Sequence, residues 1–296
     1  VWMYSLHFFA RRESKNGSIT RKYLIATGVI CGLAAGTKWS GAFLLPTFAV
    51  LESAWYGSQI YQRQSRERKI FVHKMLNYIP LYVLTFILIP PAIYILSYSH
   101  MFIQGKNFQH FKDMHQQIWW YQTTLDATHP YQSRPWEWAL NLRPVWYHIE
   151  NNARGERGDI YAFGNTALYW FGLMGIFATS IYWLRNIGTK LSKTSIVEIH
   201  ALGIVLTSYI LSWTPWFASP RIMFFYHYTP AVPFMSILLA FWTLKLWDGN
   251  KVQRFFAIAC VLLICATFVI WYPHWMGIPV PEWLKENVYF MIERWR

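Results

Sequence analysis

Apolar runs of about 15 to 23 residues recur along this chain, each close to the length that crosses a hydrocarbon layer of about 30 Å, and short charged blocks separate them. That alternation excludes one large soluble core. Of 296 residues, 54% are hydrophobic and only 14% are charged, and the charges avoid the runs. A formal net charge of +13 would point a soluble chain towards nucleic acid. Here the basic residues collect in alternate loops, as the positive-inside rule requires of a polytopic membrane protein, so nucleic acid drops out as a partner.

The first basic block holds Arg11, Arg12, Lys15, Arg21 and Lys22, and the second holds Arg63, Arg66, Arg68, Lys69 and Lys74. Both read as cytoplasmic loops. An even number of crossings then separates them, so the runs 23–36 and 40–56 form a pair of short spans with Lys38 at their outer turn. The first is barely long enough, and a re-entrant hairpin is the alternative. Residues 76–98 make a longer span in which Pro90-Pro91 predicts a kink. Phe108, Phe111, His115 and Ile118 recur at helical spacing, which predicts an amphipathic interfacial helix over 101–120. Four more spans follow at about 161–184, 196–213, 228–247 and 255–272. Arg185, Lys190 and Lys193 lie in one inner loop, Lys245, Lys251 and Arg254 in another, and Glu282, Glu286 and Glu293 in an outer tail. Glu52 and Glu198 are the acids nearest to mid-span, both close to inner ends.

Cys31, Cys260 and Cys265 fall inside spans and read as buried packing residues. The Asn16-Gly17-Ser18 sequon lies on the inner side and reads as chance. VWMYSLHFFA reads as the end of an apolar helix, so further sequence is expected upstream of Val1. No internal repeat is visible, which weakens an inverted-repeat transporter reading.

Between the spans lies a polar, aromatic-dense stretch, residues 115–148. Trp119, Trp120, Trp136, Trp138 and Trp146 share it with Asp126, His129, Arg134 and Arg143. Such a mixture suits either an aromatic belt at the bilayer surface or a surface that handles a sugar or a lipid headgroup. Arg134 and Arg143 each precede a proline, which holds the preceding residue extended. Packing on Trp136 or Trp146 is an equally physical use for them. Lys38, among Gly32, Gly36 and Gly41, is either a snorkelling lysine or a phosphate partner at headgroup depth. Arg221, in a very short outer connection, has the planar fork of donors that suits phosphate, and His227 beside it is a structural histidine or a donor to a sugar or phosphate oxygen. No metal-ligand spacing and no Walker or Rossmann glycine pattern occurs, so no metal is expected and an activated donor should be lipid-borne.

The segments GLAAGTKWSGAFLL, MHQQIWWYQTTLDATHPYQSRPWEWALNLRPVWYH, GNTALYWFG and RIMFFYHYTPAVPF resemble the bacterial polyprenol-phosphate-mannose protein O-mannosyltransferases, relatives of the dolichyl-phosphate-mannose enzymes. The resemblance covers nearly the whole chain. It implies an all-α polytopic membrane protein of the GT-C type, with residues 1–97 as the end of the glycosyltransferase transmembrane region, 98–160 as an extracytoplasmic loop with an interfacial helix, and 161–296 as a four-helix module. It further implies an inverting transfer of mannose from polyprenyl-phosphate-mannose to Ser or Thr hydroxyls of exported proteins, at the outer face of the plasma membrane, with the secretion machinery as a partner. Lys38, Arg134, Arg143, Arg221 and His227 are then the candidates for binding the donor phosphate and sugar. The family's acidic motif lies in its first outer loop, so the base is expected upstream of Val1, with Asp126 as its rival here. The alternatives are a GT-C transferase for arabinose or an aminosugar, and a transport or assembly subunit without chemistry. Eukaryotic members insert a β-trefoil module in the long loop, and the short 99–160 loop looks like the bacterial form.

Overall fold

The computed structural model describes residues 1–13, 17–61, 63–151, 157–186 and 193–295, in two compact units, Val1–Ile118 and Trp119–Arg296. Lys15, Asn16, Glu156 and Lys190 lie outside the described residues. Among the described residues, five helices are long and apolar enough to cross a membrane: Ile79–Leu96, Thr166–Asn186, Val197–Ala218, Phe225–Trp247 and Lys251–Met276.

The first unit contains α1 (Trp2–Glu13), α2 (Gly17–Thr37), a 3₁₀ turn at Trp39–Phe43, α3 (Leu44–Tyr61), α4 (Ser65–Leu76), α5 (Ile79–Leu96), α6 (Ser99–Ile103) and the start of α7 (Phe108–Thr124). Helix α2 has 21 residues and so rises about 31 Å, more than its apolar run alone supplies, because the helix begins inside the basic block. Arg21 and Lys22 therefore sit on a helix, where long aliphatic stems let charges reach water. The second block is helical too: α4 carries Arg66, Arg68, Lys69 and Lys74, where the sequence suggested a loop.

Small residues let α2 approach its neighbours. A Cβ on Gly32 would stand 2.6 Å from Ile93 Cβ on α5, and one on Gly41 would collide with the Ala34 carbonyl. Tyr4, Cys31 and Phe48 form the buried core, with Leu44, Leu51 and Phe86 against it. At one end of the unit Glu52 on α3 accepts from Tyr4 Oη (2.8 Å), Arg11 Nη1 (2.8 Å) and Tyr82 Oη (2.6 Å). The Arg11 guanidinium lies 3.5 Å from the Trp55 ring centroid, Trp55 meets Phe71 and Arg63 covers Phe71. The two basic blocks thus share one end of this unit.

Pro90-Pro91 does not simply bend α5. Val83–Leu88 is a π-helical stretch in which the Ile89 N–H bonds to the Leu84 carbonyl, five residues back. Two successive prolines donate nothing, and the wide turn re-pairs the backbone just ahead of them.

The expected helix over 101–120 is split. Gly105, at φ +83°, ends α6, and α7 begins at Phe108 with the Asn107 side chain accepting from His110 N–H at 2.9 Å.

The second unit holds the end of α7, α8 (Pro135–Ala139), an antiparallel hairpin of β1 (Val145–Asn151) and β2 (Arg157–Ala162), and four long helices: α9 (Thr166–Asn186), α10 (Lys193–Trp213), α11 (Val232–Trp247) and α12 (Lys251–Met276). The hairpin pairs Val145 with Ala162 and Asn151 with Arg157, with a bulge between Trp146 and His148. It is an addition to the all-helical expectation, although VWYHIEN has the β-branched and aromatic content of a strand. Glu198 accepts from Tyr182 Oη at 2.9 Å and pairs with Lys245 at 3.1 Å, so the acid and base expected near inner ends do meet.

The tail packs on the other end. Tyr289 Oη donates to Ile270 O at 2.6 Å, Lys285 pairs with the buried Asp159 at 3.6 Å, and Trp295 Nε1 donates to Asn141 O at 3.0 Å. Asn141 is fully buried at φ +57°, and its side-chain amide spans both backbone groups of Gly164. Tyr161, Phe163, Trp271, Tyr289 and Trp295 form the aromatic core around this junction. Of the three cysteines only Cys31 is buried; Cys260 is half-buried and Cys265 exposed, because α12 turns much of its surface outward.

Candidate functional site

A cavity of about 720 Å³ opens in the second unit, lined by Asp126, Arg134, Trp136, Glu137, Arg221 and Arg294 among others. Its size is that of a small-molecule site. Local sequence explains its walls. Arg134 is extended at φ −92°, ψ 156°, as a residue before proline must be, and Pro135 then opens α8 where a missing N–H costs nothing. Glu137 folds back to accept the Arg134 N–H at 2.7 Å, while Ser133 N–H donates to Met223 O at 2.9 Å and Trp213 Nε1 to Pro135 O at 2.9 Å. The loop is therefore fastened to the connection that carries Arg221.

Arg221 is held from three directions. Its Nε donates to Gln122 Oε1 at 2.6 Å, Nη1 to Ile222 O at 3.2 Å and Nη2 to His227 Nε2 at 3.1 Å. Those bonds use three of the five guanidinium protons and leave one on each terminal nitrogen. His227 is buried against Trp138, Tyr226 and Trp216, with ring centroids 5.8, 4.7 and 4.4 Å away. Its Nδ1–H donates to Phe224 O at 2.9 Å, so Nε2 is left as the acceptor that Arg221 requires. His227 thus holds the Arg221 guanidinium in place.

The other candidates fall in different places. The Arg134 side chain is exposed on the cavity wall, and so is Asp126. Glu137 has both oxygens occupied, since Arg294 Nη1 donates to it at 2.6 Å. Arg143 donates to the carbonyls of Pro130 and Arg294 and lies 5.9 Å from the Tyr131 ring, which makes it a tie between loop and tail; it does not line the cavity. Lys38 belongs to the first unit, exposed and extended at φ −157°, ψ 136°, between α2 and the 3₁₀ turn. Among the described residues no group of His, Cys, Asp and Glu side chains is placed to hold a metal ion. Gln122, Glu137 and Arg294 carried no signal in the sequence, because each gains its place through partners about 100 residues or more away or through a local cap.

Charge in the cavity is uneven. Arg294 neutralises Glu137, so Arg134 and Arg221 stand against Asp126 alone, a single surplus positive charge. With Trp136 and Phe217 also on the wall, the arrangement suits a ligand with a monoanionic group and an apolar or sugar face.

Comparison with known proteins agrees in every part of the chain. Residues 2–103 match the model of the dolichyl-phosphate-mannose-protein mannosyltransferases, and residues 107–293 match that of the C-terminal four-transmembrane region of protein O-mannosyltransferase. A polyprenol-phosphate-mannose–protein mannosyltransferase of Mycolicibacterium smegmatis is 26% identical over 313 residues, covering 93% of this chain and 58% of that protein. One from Corynebacterium glutamicum is 24% identical, with 92% and 59% covered. This chain therefore spans a little over half the length of these relatives. The Saccharomyces cerevisiae Pmt1-Pmt2 complex bound to its sugar donor shares the fold, with a TM-score of 0.52 at 22% identity over 62% of this chain and 26% of that one. The chain is a polytopic membrane protein of the GT-C fold, and it belongs to the protein O-mannosyltransferase family.

Proposed function

We propose that this protein transfers mannose from a polyprenyl-phosphate-mannose donor to Ser or Thr hydroxyls of exported proteins, on the outer face of the plasma membrane. The observation that carries the reading is the match of both family models, which together take in nearly the whole chain. The chemistry is a displacement with inversion: the acceptor oxygen forms a bond to the anomeric carbon, the bond from that carbon to the phosphate oxygen breaks, and polyprenyl phosphate departs with the electron pair. The hydroxyl proton passes to a carboxylate base.

Cations must face the charge that develops on the leaving phosphate. Arg134 and Arg221 of the second unit are assigned that role, with His227 orienting Arg221. Lys38, in the first unit, is by itself a candidate partner for the donor phosphate. A donor phosphodiester carries one negative charge, which matches the surplus of the cavity. Arg143 is left out because it ties the loop to the tail and does not line the cavity. The base is assigned to the acidic outer loop of the family, with Asp126 as the rival.

The test is donor kinetics in the full-length enzyme. Arg221→Ala should raise the donor KM roughly tenfold to a hundredfold, the worth of a charged hydrogen bond of about 1.5 to 3 kcal/mol, and Arg221→Lys should lose less. A correctly folded Arg221→Ala enzyme with unchanged donor kinetics would remove Arg221 from the site.

A further inference from the structure

The turn that carries Lys38 is pinned by a chain of hydrogen bonds that the catalytic reading does not use. Trp39 Nε1 donates to Tyr94 Oη at 2.7 Å. Tyr94 Oη lies 2.7 Å from His115 Nε2 and 3.1 Å from Tyr98 Oη, and His115 Nδ1 lies 2.7 Å from Phe111 O. With a neutral imidazole, one assignment of protons satisfies all of these. The carbonyl of Phe111 can only accept, so Nδ1 carries the proton and Nε2 accepts from Tyr94. The Tyr94 oxygen then accepts from Trp39 and Tyr98 and donates once, which is the full capacity of a phenol.

We infer that Tyr94 and His115 are positioning residues for donor binding, setting through the Trp39 indole where the Lys38 ammonium stands. The inference rests on the assignment of Lys38 to the donor phosphate. Trp39 and Lys38 move together: Lys38 N–H donates to Ala34 O at 3.1 Å, Gly41 N–H donates to Lys38 O at 2.8 Å, and the Gly41 backbone lies directly on the Ala34 carbonyl. The indole bond adds a third tie to a turn already held at Lys38 and Gly41. His115 is itself held by rings, with Phe111 at 4.0 Å, Trp39 at 5.9 Å and Tyr98 at 5.4 Å between centroids. Three elements of the first unit, the Lys38 turn, α5 and α7, therefore converge on one phenol. Such satisfied networks fix a single arrangement more firmly than packing alone.

The experiment uses the full-length enzyme with a short-chain polyprenyl-phosphate-mannose and a Ser/Thr peptide. Tyr94→Phe keeps the ring and removes the oxygen, and it should raise the donor KM about fivefold, the size of one neutral hydrogen bond, with the acceptor KM unchanged. His115→Ala should do the same, and His115→Gln, which keeps a donor and an acceptor, should recover part of the loss. In a Lys38→Ala background Tyr94→Phe should add no further loss. Thermal unfolding of each variant runs alongside, so that lost protein is not read as lost affinity. If Lys38→Ala leaves the donor KM unchanged, the assignment of Lys38 is wrong and this inference goes with it. If Lys38→Ala weakens the donor while Tyr94→Phe and His115→Ala do not, or if their losses persist undiminished without Lys38, the positioning role alone is overturned.

Discussion

Glu52→Ala is the substitution that most directly tests how the first unit is held together. The wild-type carboxylate is buried and receives two phenols and the Arg11 guanidinium, with His7 Nε2 a further 3.6 Å away. Arg11 has few other partners: among the described residues its Nε and Nη2 are buried without a hydrogen bond, and Tyr82 stands 3.4 Å from Nη1. Removing the acid therefore strands a cation whose side chain is only 14% exposed. Breaking a buried pair in this way costs about 3 to 5 kcal/mol, a large share of the roughly 5 to 15 kcal/mol that holds a domain folded. The expected result is a fall of about 10 °C or more in the unfolding midpoint of the full-length enzyme, followed in detergent by tryptophan fluorescence and by size exclusion after heating. Replacing the pair together, as Arg11→Met with Glu52→Leu, should regain most of the loss, because the cost lies in the unmatched charge rather than in the missing attraction. A Glu52→Ala midpoint within about 2 °C of the wild type would refute the reasoning, as would a double variant no better than the single.

Two further outcomes follow from other sites. Asn141→Ala should destabilise the second unit by about 2 to 4 kcal/mol in chemical denaturation, since it loses both amide bonds to Gly164 and places an ordinary side chain at φ +57°, and Asn141→Gly should cost less because its backbone is at ease there. Asp126→Asn in the full-length enzyme should leave substantial mannose transfer in a peptide assay, because Asp126 is exposed on the cavity wall; a loss of a hundredfold or more would make it the base.

The span over 76–98 and the four after residue 160 were legible because length and apolarity are local properties, and the long helices lie close to where those apolar runs predict them. The short runs 23–36 and 40–56 fall on helices outside the five that are long and apolar enough to cross among the described residues. The ends of α2 and α4 were not, since a basic stretch looks the same in sequence whether it coils or continues a helix into water. The hairpin was hidden by its own aromatic content: in a chain where one residue in five is aromatic, the strand signature of VWYHIEN merges with the expected interfacial belt. Among the candidate residues, Arg134 and Arg221 stood out by their prolines and short connections, and both line one cavity. Arg143 shows the limit of that reasoning. Proline placed it as firmly as Arg134, but which carbonyls it meets depends on a tail about 150 residues later. The Tyr94–His115 pairing had no signature, and His115 was readable only as a position on an amphipathic helix, because a hydrogen bond between distant elements leaves no local mark in the sequence.

The wide turn ahead of Pro90 has a geometric consequence for the first unit. Tyr82 and Tyr94 are twelve positions apart on α5, and at about 100° per residue an unbroken α-helix would set them about 120° apart around its axis. One residue taken up by the π turn removes about 100° of that angle and leaves the two phenols within about 20° of each other. The same stripe of the helix can then meet Glu52 near one end and Trp39 near the other. What composition presents as damage control around two prolines works as a phase correction, aligning two polar clusters that a regular helix would have turned to different neighbours.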